Sequence, residues 1–295
     1  MLKTVVSYLI RRTKLATPVW LGLGVHDIDH AVAEFPEVTI IIPTRDRIDI
    51  LRPCLESIQT ITSYPNYKVL VLDNDSEQPE TLNYLADLAS EKIQVLPTPG
   101  EFNYSKIINF GVASVKSGLV CLLNNDTLIQ TPSWLTDLVS HLREPEVGLV
   151  GALLLYPNGL IQHAGIALGY RGLAGHVFSG TRPGIRVPAT EHCFEVSAVT
   201  FACALMRKQL WNSLQGLDEA FKVGLNDVDF GTRAVAAGYK NVVCTCARVI
   251  HLESESRKSM KSLSGFGRAV LEVLRYSRSH PTESLIDPYF GFETE

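Results

Sequence analysis

The stretch Val38-Thr39-Ile40-Ile41-Ile42-Pro43-Thr44-Arg45 decides how this chain is read. Five consecutive β-branched residues are stiff at χ1 and favour a strand. The run does not alternate apolar with polar, so the strand it predicts is covered on both faces. Pro43 ends the run and leaves Thr44 and Arg45 at its carboxyl end. Working outward, the same signal recurs at Lys68-Val69-Leu70-Val71-Leu72-Asp73, Ile93-Gln94-Val95-Leu96 and Leu119-Val120-Cys121-Leu122-Leu123. Between these runs lie helical spacings: Leu51, Leu55, Ile58 and Ile61, then Leu82, Leu85 and Leu88, then Tyr104 to Val115. Strand alternating with helix in this way predicts an α/β domain, a parallel sheet with helices on both faces of the nucleotide-binding kind.

Ligands of such sheets sit at the carboxyl ends of the strands. That rule picks out Thr44 and Arg45, then Asp73, Asn74 and Asp75, then Asn124, Asn125 and Asp126, as polar clusters on one edge. After about Trp134 shorter strands separated by glycine turns predict a mixed or antiparallel half. A short helix is predicted over Asn226 to Ala237, stopped by Gly238, followed by a strand over Asn241 to Thr245 and the separate segment Ala247 to His251. A last helix is predicted from about Leu263 to Ser277, and the residues beyond Pro281 read as a tail. The domains are therefore 1–36, an N-terminal helical segment or linker, 37–258, the α/β domain, and 259–295, a C-terminal helix and tail.

The chain has 295 residues, 46% hydrophobic and 20% charged, with a net charge of -4. That is enough for a full core, and the charge gives no field that would draw a nucleic acid. The six cysteines sit in apolar surroundings without a zinc-like spacing of pairs, which reads as reduced thiols of a cytoplasmic protein. No stretch reaches the roughly 18 to 20 apolar residues of a bilayer span. Residues 1–36 mix Val5, Val6, Leu9, Ile10, Val19, Trp20 and Leu21 with Lys3, Arg11, Arg12 and Lys14, the composition of a helix lying on an anionic membrane surface. A helix packed on the main domain, or a linker, fits that composition equally.

No lysine-bearing phosphate loop and no Gly-x-Gly-x-x-Gly follows the first strand. If the fold binds a diphosphate, a divalent cation is the economical counter-charge, and Asp126 at a strand end supplies a hard oxygen ligand. A lone strand-end Asp is more often a turn or cap residue, so the wider sequence has to decide.

Eight segments in order do so: Ile40-Ile41-Ile42-Pro43-Thr44-Arg45-Asp46-Arg47, Val71-Leu72-Asp73-Asn74-Asp75-Ser76, Phe102-Asn103-Tyr104-Ser105-Lys106-Ile107-Ile108-Asn109, Leu122-Leu123-Asn124-Asn125-Asp126-Thr127, Gly148-Leu149-Val150-Gly151, Ile161-Gln162-His163-Ala164-Gly165, Asn226-Asp227-Val228-Asp229-Phe230 and His251-Leu252-Glu253-Ser254-Glu255-Ser256-Arg257. Together they resemble the family 2 inverting glycosyltransferases of GT-A fold, a Rossmann-like nucleotide-diphospho-sugar transferase architecture with a mixed sheet flanked by helices. The resemblance runs from about Val38 to Arg257 and is closest to the rhamnan and O-antigen biosynthesis type.

The resemblance implies a nucleotide-diphosphate sugar donor, UDP- or dTDP-linked, a saccharide or lipid-linked saccharide acceptor, and Mn²⁺ or Mg²⁺ as cofactor. Asp126 matches the last residue of the family's Asp-x-Asp metal motif, with Asn124 in place of the first Asp and Asn125 between them. His251 matches the late histidine that completes the metal site. Pro43, Thr44, Arg45, Asp73 and Asn74 match the nucleotide side, and Lys106 and Asn109, sharing one helix face, could reach the diphosphate. Asp227 matches the catalytic base, while Asp229 takes a supporting role such as an ion pair with Arg233. His163, His176 and Thr200 fall where the sugar or acceptor would lie, and Arg257 could close over the diphosphate. Phe201, a departure from the family's small residues, would reshape the acceptor pocket. The implied setting is polysaccharide assembly at the cytoplasmic side of a bacterial membrane, with peripheral contact. A nucleotidyltransferase and a catalytically silent saccharide-binding member are the competing readings.

Overall fold

The β-branched run forms the strand it predicts, β3 (Val38–Thr44), and every residue of it but Pro43 is buried. The computed structural model describes residues 16–20, 25–26, 34–116, 118–170, 173–184, 193–252, 263–280 and 287–294. In chain order the earlier strands are β1 (Ala16–Trp20) and β2 (Val25–His26). After β3 come α1 (Ile48–Ile61), β4 (Tyr67–Asp73), α2 (Pro79–Leu88), β5 (Ile93–Pro97), α3 (Tyr104–Ser114), β6 (Leu119–Leu123) and β7 (Thr127–Ile129). The second half holds α4 (Trp134–His141), β8 (Val147–Leu155), β9 (Ile161–His163), β10 (Ile166–Leu168), β11 (Ala174–His176), β12 (Cys193–Val196), β13 (Cys203–Arg207), α5 (Lys208–Ser213), α6 (Asn226–Ala236), β14 (Lys240–His251), α7 (Leu263–Ser279) and β15 (Phe290–Thr294).

The central sheet runs β2-β12-β14-β8-β13-β6-β3-β4-β5, with β7 added on β14 and β9 on β8. Strands β6, β3, β4 and β5 are mutually parallel, the arrangement their alternation with helices dictates. The other half is mixed: β13 runs antiparallel to β6 and β8, while β14 runs parallel to β8. Alternate side chains divide the core in two. Ile40 and Ile42 pack with Leu51, Leu55 and Ile58 of α1 and Trp134 of α4 on one face. Ile41 packs with Ile108 and Val112 of α3 and Phe230 of α6 on the other.

Three sequence expectations are corrected. Residues 16–20, expected within a helical segment or linker, form a strand paired antiparallel with residues 290–294, expected in the tail. That tail end is fastened at Asp287, whose buried carboxylate accepts hydrogen bonds from the Leu168, Tyr289 and Phe290 amides and the Ser197 hydroxyl. The strand at Asn241 and the segment ending at His251 are one element, β14, interrupted by a register shift between Cys244 and Arg248. The extra residues break the alternation on which the sequence reading relied. The expectations placed on residues 1–15 and on Arg257 lie outside the described residues. All six cysteines are free thiols, and five are buried.

Candidate active site

The carboxyl ends of β3, β4 and β6 open onto one cleft of about 360 Å³, lined among others by Thr44, Arg45, Asn74, Asn124, Asp126, Thr200 and Asp227. Pro43, Asn125, Phe102, Tyr104, Phe201, Val223 and Asn226 complete most of its wall. The size is that of a small-molecule site. Near its floor the backbone is unusual: Asp46, Arg47 and Asp75 all take left-handed φ angles of 51–55°. Such conformations cost energy in non-glycine residues and concentrate at functional sites. Here side chains hold them, since the Asp46 carboxylate accepts the Glu77 and Gln78 amides and the Asp75 carboxylate accepts the Gly100 amide.

On one side of the cleft, Asn74 is buried and its amide nitrogen donates to the Thr98 and Gly100 carbonyls. Its orientation is thereby fixed, and Oδ1 is left as a buried acceptor without a hydrogen-bond partner. Asn74 therefore offers a ligand only its acceptor, because its donors are occupied by its own loop. The Asn125 side chain donates to the Thr44 hydroxyl at 2.9 Å, joining the ends of β3 and β6. Arg45 forms an exposed ion pair with Glu77. Asp73 accepts from the amide and hydroxyl of Ser76, so it shapes the turn and is not among the residues that line the cleft.

Lys106 and Asn109 also stand apart from the cleft lining. The Asn109 amide donates to the Leu217 carbonyl and accepts from the Leu217 amide, fastening α3 to the 217–219 loop, while Lys106 is exposed. Their shared helix face was read correctly. On that face Asn109 is engaged by the 217–219 loop.

Asp126 and His251 are brought together from 125 residues apart because β7, which follows Asp126, pairs with the end of β14 in the register His251 to Thr127. Asp126 Oδ1 lies 3.1 Å from His251 Nε2, and Asn124 Nδ2 lies 3.3 Å from the same ring nitrogen. The other ring nitrogen, Nδ1, is 2.5 Å from Gln162 Oε1. Two adjacent ligands of an octahedral ion with bonds of about 2.1 Å are roughly 3 Å apart, so the carboxylate and imidazole have the spacing a small divalent cation requires. Among the described residues no group of three or more His, Cys, Asp or Glu offers a complete cage. A cation here would share its shell with a ligand and water, the usual habit of Mg²⁺ at phosphates.

Also lining the cleft, Asp227 stands in the first turn of α6 and is partly buried. Desolvation raises its pKa above the ordinary carboxylate value, against hydrogen bonds from the Val228 amide, the Thr200 hydroxyl and the Phe201 amide. Asp229 points away and pairs with Arg233 at 2.8 Å and His280 at 3.0 Å, the supporting role expected of it.

His163 and His176, expected near the sugar or acceptor, are not among the residues that line the cleft. His163 is fully buried and absent from the cleft wall; burial, then the neighbouring His176 and His251, hold its pKa well below the usual histidine range. Its Nε2 accepts from the Gly165 and Thr200 amides, and its Nδ1 meets His176 Nδ1 at 2.9 Å. His163 therefore positions Thr200, which in turn bonds Asp227. Gln162 and Val223 are parts of this region whose roles the sequence reading did not assign; Gln162 carries no signal beyond its place between two strand residues in Ile161-Gln162-His163.

Comparison with known proteins bears on the whole arrangement. The chain is similar to two solved glycosyltransferase structures: GalNAc-T7 with UDP, GalNAc and Mn²⁺, at a TM-score of 0.61 and 15% identity over 74% of this chain and 43% of that one, and a Pyrobaculum calidifontis mannosyltransferase with GDP-Man and Mn²⁺, at 0.57 and 16% over 90% and 71%. At those identities the likeness concerns the fold, which is GT-A. In sequence, the chain is 40% identical over 236 residues to the O-antigen biosynthesis protein RfbC of Myxococcus xanthus, and 36% identical over 264 residues to an uncharacterized protein, y4gI, of Sinorhizobium fredii. These matches cover 79% and 87% of this chain but only 18% and 29% of the relatives' length. Residues 39–211, more than half of the chain, match the family described as Glycosyl transferase family 2. With its strand-end cleft, its sheet order and this match in agreement, the chain belongs to glycosyl transferase family 2.

Proposed function

We propose that this chain transfers a sugar, with inversion, from a UDP- or dTDP-linked donor to a saccharide or lipid-linked saccharide acceptor, in the assembly of a cell-surface polysaccharide of O-antigen type. The observation that carries the reading is that Asp126, paired behind the wall with His251, and the desolvated Asp227 line one cleft. The likeness to the Myxococcus O-antigen biosynthesis protein supports the biological setting, which we place at the cytoplasmic face of the membrane. Among the described residues no helix is long and apolar enough to cross a bilayer.

The buried, partnerless Asn74 Oδ1 calls for a donor, and the N3–H of uracil or thymine is one. Asp126 and His251 would hold Mn²⁺ or Mg²⁺, which supplies charge neutralisation to the donor diphosphate. Asp227 takes the proton of the acceptor hydroxyl as that oxygen forms its bond to the anomeric carbon. The bond from that carbon to the phosphate oxygen breaks at the same time, and its electron pair leaves with the nucleoside diphosphate on the opposite face. A carboxylate whose pKa is raised by desolvation is a stronger base than an exposed one, and the Thr200 and Phe201 hydrogen bonds aim it. One carboxylate is sufficient for this displacement, whereas glycoside hydrolysis needs two across the bond.

The test is release of nucleoside diphosphate from a panel of UDP-, dTDP- and GDP-sugars with Mn²⁺, with and without saccharide acceptors. Acceptor-stimulated release from a UDP- or dTDP-sugar is expected. No binding and no turnover with any donor would leave the silent-member reading in its place.

A further inference from the structure

Gln162 makes two hydrogen bonds to the same residue. Its Nε2 donates to the His251 carbonyl at 3.1 Å, and its Oε1 meets His251 Nδ1 at 2.5 Å. The first bond fixes the amide's orientation, because a flipped amide would turn its oxygen against that carbonyl. With Oε1 held toward the ring, Nδ1 must carry the hydrogen, and the neutral ring keeps its lone pair on Nε2. Around Nε2 the two neighbours pull in opposite directions: Asn124 Nδ2, 3.3 Å away, is in position to donate to that lone pair, whereas Asp126 Oδ1, an acceptor 3.1 Å away, favours a hydrogen there, so the Gln162 oxygen on Nδ1 decides the tautomer. Gln162 is only 5% exposed, so water does not compete for its oxygen.

We propose that Gln162 is a positioning residue that sets the tautomer of His251, holding the Nε2 lone pair beside Asp126 in readiness for a divalent cation. The proposal rests on the metal reading of Asp126 and His251. A histidine ligand generally needs such an outer partner on its second nitrogen, and loss of that partner weakens metal binding about 10- to 100-fold. Without Gln162 Oε1, the ring gains by moving its proton to Nε2 and donating to Asp126, which closes the pair on itself. Gln162 sits on β9 beside His163, whose own Nε2 holds the Thr200 amide. The two neighbours therefore brace two parts of the site, Gln162 the His251 ring and His163 the Thr200 backbone.

Two measurements on the full chain decide the matter. In the first, nitrogen-15 histidine spectra at about pH 8, where an ordinary histidine is neutral, report the tautomer of His251 without any metal. The wild type and Gln162→Glu, which keeps the acceptor, are expected to show Nδ1–H; Gln162→Leu is expected to show Nε2–H. In the second, Mn²⁺ alone is titrated and free Mn²⁺ is followed by electron paramagnetic resonance. Gln162→Leu should weaken binding about 10- to 100-fold, and Gln162→Glu should stay within about 3-fold of wild type or bind more tightly. An unchanged tautomer and an unchanged Mn²⁺ affinity in Gln162→Leu would overturn the proposal, provided His251→Ala abolishes binding in the same titration. If His251→Ala binds Mn²⁺ as the wild type does, the metal reading itself is wrong and the proposal falls with it. Should Gln162→Leu fail to fold, loss of the Nδ1–H tautomer in Gln162→Glu would overturn the proposal just as directly.

Discussion

Replacing Gly231 by alanine pits helix propensity against packing, and the two predict opposite signs. Gly231 lies one turn after Asp227 on α6, at the point where that helix crosses the end of β12. A Cβ built there would stand 2.6 Å from the Ala198 Cβ, 3.0 Å from the Ala198 Cα and 3.2 Å from the Ser197 carbonyl oxygen. Carbon atoms rest at about 3.5–4.0 Å, so the helix must retreat by roughly 1 Å. The obstruction includes backbone and cannot be relieved by a rotamer change. Retreat also strains Asn241, whose buried amide donates to both the Ser197 and Gly231 carbonyls and so ties the two segments. Overpacking of this kind costs about 1–3 kcal/mol. Alanine returns up to about 1 kcal/mol of helix propensity, leaving a net loss of up to about 2 kcal/mol. At about 2–4 °C per kcal/mol, Tm falls by up to about 8 °C. The chemistry should suffer more than the fold, because Thr200 and Phe201, which hold the Asp227 carboxylate, lie only two and three residues after Ala198. A displacement of about 1 Å can lower kcat about 100-fold. Differential scanning fluorimetry and initial-rate measurements on Gly231→Ala test both parts. A variant more stable than wild type with unchanged kcat would refute the reasoning, since propensity alone would then have decided the outcome.

Asp227→Asn should abolish transfer and raise Tm at pH 7. Because the folded pKa is raised, ionisation above the unfolded value of about 3.9 costs the native state stability, so the gain should vanish once pH falls below that value; a Tm difference independent of pH contradicts the desolvation argument. The same raised pKa places the acid limb of the kcat profile above the ordinary carboxylate range, checked by rates from about pH 4 to 8. Asp287→Ala leaves three backbone amides and a serine hydroxyl without their acceptor, and chemical denaturation should show a loss of about 3 kcal/mol or more; a loss under about 1 kcal/mol would mean that the 287–290 segment does not anchor the sheet end. Asn109→Ala should lower stability by about 1–2 kcal/mol with donor affinity unchanged, and Lys106→Ala should change neither; a tenfold weaker donor Kd in either variant would return these residues to the diphosphate.

Much of the fold was legible because β-branched runs and helical spacings are local signals. The end of β6, with Asn124 to Asp126, could be placed at a ligand edge from the strand-end rule alone. Pairings made late in the chain were hidden. Nothing local in residues 16–20 announces a partner at 290–294, and the Cys244–Arg248 irregularity disguised one strand as two segments. For Lys106 and Asn109 the spacing gave a common face but not its direction, which only the 217–219 loop reveals. The roles of Gln162 and His163 depend on hydrogen bonds to residues 89 and 37 positions away. A sequence displays residue types, and those partners are set by sheet order.

Isothermal titration of donor sugars into wild type, Asp126→Ala and Asp227→Asn, with Mn²⁺ and with chelator, tests the central claim most directly. The account predicts that wild type and Asp227→Asn bind a UDP- or dTDP-sugar only with Mn²⁺ present, that Asp126→Ala loses this metal-dependent binding, and that Asp227→Asn binds without turning over. Equal donor binding with and without metal in all three proteins, or full turnover by Asp227→Asn, would contradict it.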